Sequence, residues 1–137
     1  MRCVIFLDID GVLAPWGSGE LDRGCVDRLN RLAEDTDALL VLTSSWREHT
    51  PLTEIEAALQ RAGLTRRLHS ATPVLPADSR GAEIATWLDA YGEPVAMVIL
   101  DDEPVPPFGD RQVRTDEYEG LTPDHVRRAL AVVDDGT

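Results

Sequence analysis

Lysine is absent from this chain. All 13 basic residues are arginine, set against 25 aspartates and glutamates, for a net charge of -12. A balance this acidic leaves no broad electrostatic footprint for a long nucleic-acid duplex, although a short end or a single phosphate could still be gripped. Most of the charge reads as solubility. Cysteine is scarce. Cys3 and Cys25 form neither a metal-ligand spacing nor a disulfide framework, and both read as reduced thiols. No apolar run approaches the ~20 residues that a membrane-spanning helix requires. The apolar run after Met1-Arg2 is cut by Asp8, too early for a secretory signal, so a cytoplasmic location is the expectation. Repeats, low-complexity tracts and linkers are missing too, and residues 1–137 are expected to form a single domain.

What is present is alternation. Cys3–Leu7, Ala38–Leu42 and Val95–Leu100 are continuous apolar runs, the pattern of strands buried on both faces. "RLHSA" and "QVRTD" read as shorter strands, the latter at an edge. Val26, Leu29, Leu32 and Ala33 recur at helical spacing behind Asp22, a candidate N-cap. Thr50-Pro51 and Thr122-Pro123 each carry a cap-then-proline signature. The first is expected to open a helix with Leu52, Ile55, Leu59 and Ala62 inward, the second one with Val126, Leu130 and Val133 inward. A further helix bears Ile84, Trp87, Leu88 and Tyr91, and "APWGSGELD" reads as a turn or small hairpin. Strands alternating with helices predict an α/β fold, a Rossmann-like three-layer sandwich with a mainly parallel sheet of about five strands. Ligands in such sheets bind beyond the carboxyl ends of the strands.

Those ends carry the chemistry. The first strand runs into Asp8 and Asp10, the second into Thr43-Ser44-Ser45, the third into Asp101-Asp102. Carboxylates that converge at one edge repel unless a cation holds them, and an all-oxygen donor set suits Mg²⁺ together with a phosphate oxygen. Hydroxyls and amide N–H groups can take the remaining phosphate oxygens. Arg80 lies in a first helical turn, where a cation opposes the helix dipole. An anion held there by the guanidinium and the helix start together removes that conflict. Two aspartates at i and i+2 can divide labour, one attacking phosphorus and the other moving protons.

"FLDIDGVL", "LLVLTSSW", Arg80 in "SRGAEIATWL", and "MVILDDE" together resemble, in order and spacing, the four motifs of the haloacid dehalogenase-like (HAD) superfamily. "TSSWR" with "GLTPDHVRRAL" also resembles the small HAD domains grouped with RNA-repair proteins. The resemblance implies a phosphatase acting through an aspartyl-phosphate. Asp8 would be the nucleophile and Asp10 the general acid and base. Mg²⁺ would be held by Asp8, the Asp10 carbonyl, Asp101 and, through water, Asp102. Ser44, or else Thr43, would contact a phosphoryl oxygen, and Arg80 would neutralise the developing charge. The gaps after the first and second motifs are too short for a cap domain of ~50 residues. In the family an open site goes with macromolecular substrates or with closure by a partner, so the resemblance implies a phosphorylated substrate that can be large, a nucleic-acid end or a phosphoprotein.

Competing readings are a phosphate-binding or regulatory module without turnover, a receiver-like domain, and an Asp-x-Asp nuclease or primase. A receiver wants its acceptor aspartate where this chain has Thr43-Ser44, and the nuclease wants a glutamate on a strand before Cys3. Trp16 and Trp46 either stack on a substrate ring or pack on the core, with packing favoured. Arg47 either reaches a substrate phosphate or is solvated. "EPVPPFGD" either walls the site or only leads on to the edge strand.

Overall fold

A strand whose side chains are apolar on both faces is stable only inside a sheet covered on both sides, and the three long apolar runs take that place. In the computed structural model, which describes residues 1–76 and 79–136, they are β1 (Arg2–Leu7), β2 (Leu39–Leu42) and β4 (Val95–Asp101). The short edge strands are β3 (Leu68–Ala71) and β5 (Gln112–Arg114). Every pairing is parallel and the order across the sheet is β3-β2-β1-β4-β5.

Four helices cover this sheet: α1 (Arg23–Thr36), α2 (Leu52–Arg61), α3 (Arg80–Tyr91) and α4 (Pro123–Asp135). The two faces of β1 separate them. Cys3, Ile5 and Leu7 pack into one core cluster with Leu29 of α1, Leu59 of α2 and Val133 of α4. Val4 and Phe6 pack into a second with Ile84 and Trp87 of α3. The chain therefore winds outward from β1 to β3 on one face and returns to β4 across the other. This reversal puts the crevice of a doubly wound sheet between the ends of β1 and β4.

Local chemistry sets the boundaries. The Asp22 side chain accepts from Cys25 N and opens α1, and Ser79 opens α3 through Ala82 N. Thr122 opens α4 in a reciprocal capping box with His125, to which the sequence assigned no role. The Thr50-Pro51 expectation needs a correction: Pro51 is itself the cap residue, no side chain caps α2, and the helix starts at Leu52. "APWGSGELD" forms turns and no hairpin, because its first residues fold back on the end of β1, where Ile9 O accepts from Leu13 and Ala14 and an isolated bridge joins Asp10 to Ala14. Among the described residues, the connections after β1 and β2 hold no cap domain, and no helix is long and apolar enough to cross a membrane. Residues 77 and 78, in the loop before α3, lie outside the described residues.

Candidate active site

The apolar strands end in register. Leu7 pairs with Leu42 on one side and Leu100 on the other, and Leu42 pairs with Ala71. One residue further, the ladder continues through polar residues. Thr72 N donates to Leu42 O, Thr43 N to Leu7 O, Asp8 N to Leu100 O and Thr115 N to Asp101 O, at 2.9–3.1 Å. Thr72, Thr43, Asp8, Asp101 and Thr115 thus form one buried polar row along the carboxyl edge of the sheet. These backbone N–H groups are satisfied within the ladder and need no side chain of the row.

Asp8 and Asp101 are neighbours in the row, and Asp102 follows Asp101 out of it. Carboxylate oxygens of these three lie within 4.8 Å of one another. Gly11 makes the approach of Asp102 possible, because a Cβ at this position, where φ is +79°, would collide with the Asp102 carboxylate. Arg80, in the first turn of α3, reaches in from the other side of the row. Its Nη1 donates to Asp101 Oδ2 at 2.6 Å and lies 3.2 Å from Asp8 Oδ2. Gly81 lets the turn sit this close to the loop after β4, since a Cβ there would strike the Pro106 carbonyl.

One guanidinium does not balance three carboxylates. Burial, with Asp101 adding to it and Arg80 opposing it, pushes the Asp8 carboxyl up to about 7. Burial and the adjacent Asp101 push Asp102 up to about 6. Burial works against the charge of Arg80, but Asp8 and Asp101 outweigh it and raise its pKa. A surplus of clustered oxygen donors held partly protonated fits a hard divalent cation, which would replace those protons.

The remaining predicted residues are distributed around this cluster. Asp10 is exposed beyond the end of β1, and its Oδ2 accepts from the Trp46 indole at 3.2 Å. Among the described residues Thr43 Oγ1 is buried without a hydrogen-bond partner, whereas Ser44 Oγ accepts from Trp46 N at 3.2 Å and caps the short 3₁₀ turn Ser45–Glu48. Trp46 packs partly buried against the main core, but Trp16 is 58% exposed, against the expectation of packing. Glu103, Pro104, Val105 and Pro106 wall a groove of about 870 Å³ that runs from Arg80 and Asp101 past Val74 to Glu48.

Arg47 corrects one of its predicted alternatives, that it is solvated. It lines the groove, but its donors are taken up by protein groups. Its side chain is 6% exposed and pairs at 2.8 Å with Glu83 of α3, itself 9% exposed. Its remaining donors go to the carbonyls of Thr43, Ser44, Thr72 and Pro73. Arg47 is a clamp that joins the ends of β2 and β3 to α3. Glu83, which also accepts from Leu75 N, escaped the sequence reading although a glutamate in a helix's first turn was visible.

Comparison by family puts residues 4–126 on the model described as the HAD domain in Swiss Army Knife RNA repair proteins. Comparisons with curated proteins and with solved structures gave no match.

Proposed function

The chain belongs to the family of the HAD domain in Swiss Army Knife RNA repair proteins, and on that premise we propose that it is a Mg²⁺-dependent phosphomonoester hydrolase working through an aspartyl-phosphate. One observation carries the reading: Asp8, Asp101 and Asp102 converge at the crevice of a parallel sheet with a single arginine among them. A structural ion-pair cluster would balance its charges, and this one does not.

In the proposed reaction an Asp8 carboxylate oxygen attacks phosphorus and forms a P–O bond. The ester P–O bond breaks, and the leaving oxygen takes the proton of the Asp10 carboxyl. A water then attacks the aspartyl-phosphate and gives its proton back to Asp10, releasing phosphate and restoring Asp8. Asp8, Asp101, Asp102 and the Asp10 carbonyl would hold the Mg²⁺, which supplies neutralisation of charge on the phosphoryl oxygens. Arg80 donates to those oxygens as charge develops. The unpartnered hydroxyl of Thr43, in the same row as Asp8, favours Thr43 over Ser44 as the further phosphate contact. Asp10 is exposed and the groove is uncovered, which supports a phosphomonoester carried by a large molecule. A phosphorylated RNA end is the class that the family's description favours.

Phosphate release from mononucleotides, phosphopeptides and 3′- or 5′-phosphorylated oligonucleotides, each with and without Mg²⁺, tests the reading. Metal-dependent release that disappears in Asp8→Asn is expected. Phosphate binding without release on any substrate would overturn it in favour of a non-catalytic phosphate-binding module.

A further inference from the structure

Asp10 stands apart from the rest of the site. Its backbone is fixed: an isolated bridge joins it to Ala14, and Thr115 Oγ1 donates to the carbonyl of the next residue, Gly11, at 2.7 Å. The residue is exposed, so packing does little to orient its carboxylate. Among the described residues one group holds it, the indole N–H of Trp46, which donates to Oδ2 at 3.2 Å.

Trp46 is itself well anchored. Its ring packs against the main core cluster, and its backbone N–H donates to the Ser44 hydroxyl that opens the 3₁₀ turn. The carbonyls of Thr43 and Ser44 just before this turn are held by the buried Arg47. The indole therefore projects from a rigid base toward a carboxylate that has little else to orient it. An indole has one donor and no acceptor, so it can hold one carboxylate oxygen and leave the other to the substrate.

We propose that Trp46 is the positioning residue of Asp10, holding Oδ2 so that Oδ1 faces the leaving oxygen. The inference rests on reading Asp10 as the proton donor. It differs from the family motifs in naming a residue outside them that acts through Asp10 and touches no substrate. The tryptophan then serves twice, as a partial cover for the core and as a fixed arm for the acid.

The test separates orientation of an acid from general damage. A nitrophenolate leaves without a proton, whereas an alkoxide needs one, and kcat/KM reports only steps through departure of the leaving group. Trp46→Phe keeps an aromatic ring on the core and removes the N–H. In Mg²⁺ it should lower kcat/KM about tenfold on an alkyl phosphate, the order expected for one hydrogen bond to a charged group. On nitrophenyl phosphate the change should be less than about twofold. The indole N–H resonance of Trp46, identified by its loss in Trp46→Phe, should shift in Asp10→Ala, while that of Trp87, which donates to Ser70 Oγ, should not. An equal loss on both substrates, no loss on either, or an unmoved Trp46 resonance overturns the inference. Asp10→Asn run in parallel distinguishes the two failures. If it lacks the same leaving-group dependence, the acid assignment of Asp10 falls and takes the inference with it; if it shows the dependence and Trp46→Phe does not, the inference alone is overturned.

Discussion

Two arginines meet at the start of α3 beside one sheet edge, and their surroundings differ in kind. Arg47 faces one buried carboxylate and four backbone carbonyls, and is 6% exposed. Arg80 faces two carboxylates of a cluster of three, and is 28% exposed. In the first region donors match acceptors and charges cancel. In the second, negative charge exceeds positive, at a groove that Arg47 and Glu83 also line. A closed balance fits a structural arginine, and an open one fits the role proposed for Arg80. Proximity to a motif does not separate the two, since Arg47 lies nearer in sequence to Thr43-Ser44 than Arg80 lies to any other site residue.

The strongest way to sharpen this contrast is to remove one acid from the surplus. Asp8→Asn should cut phosphate release by about 10⁴-fold or more, the scale of a lost nucleophile. At pH 8 without metal the same variant should melt at a higher temperature than the native chain, because a buried charge has gone.

Breaking the balanced region should instead cost the fold. Arg47→Ala leaves Glu83 buried and unpaired and frees four carbonyls, an expected loss of about 3–5 kcal/mol in denaturant unfolding. Mg²⁺ should not restore it. Arg80→Ala should lower kcat by ~10²–10³, and Mg²⁺ should restore whatever stability it loses. If Mg²⁺ rescued Arg47→Ala and not Arg80→Ala, the two roles would be exchanged.

Titration gives a third approach. In the folded chain Asp8 titrates at about 7 and Asp102 at about 6, above the usual ~4 of an unfolded carboxylate. Between those values the folded state keeps protons that the unfolded state has released. These groups therefore stabilise the metal-free fold at low pH, and that contribution is lost as pH rises from about 4 to about 7. Stabilisation by Mg²⁺ should grow over the same window. Melting temperatures from pH 5 to 8, with Mg²⁺ or with chelator, check both trends, and Asp8→Asn should flatten them. A Mg²⁺ effect independent of pH would contradict the surplus.

The smallest expected effect separates two adjacent hydroxyls. Thr43→Val removes a buried oxygen without a partner, so it should leave stability unchanged and lower kcat about tenfold. Ser44→Ala removes a cap and should cost about 1 kcal/mol of stability, with a smaller loss of activity. The reverse pattern in phosphate-release assays and melts would make Ser44 the phosphate contact.

How much of this was legible in the sequence depended on the range of the forces involved. The strands were readable because burial on both faces forbids polar residues along a whole run, as in Val4–Leu7. The acids were readable because each stands where such a run stops. The caps at Asp22 and Thr122 bond within three residues, so the sequence carries them whole. Arg47 was not readable, because its partners are mainly carbonyls, which every residue has, brought together from the ends of two strands. Nor was the Trp46–Asp10 contact, which spans 36 residues and depends on how two loops meet. Trp16 was misread because an aromatic side chain near a sheet end usually finds a partner, and here the turn carries it outward. Thr50 failed as a cap because the helix begins one residue later than its proline suggested.

The uncovered sheet edge also bears on the aspartyl-phosphate proposed at Asp8. Enzymes that pass a phosphoryl group to a second chosen acceptor must keep bulk solvent away for the lifetime of the covalent species. Here the described residues provide no door to shut, and Asp10 stands in solvent at the rim. On the proposed reading bulk water would outcompete a dissolved acceptor in such a place, and an aspartyl-phosphate there would be hydrolysed rather than passed on.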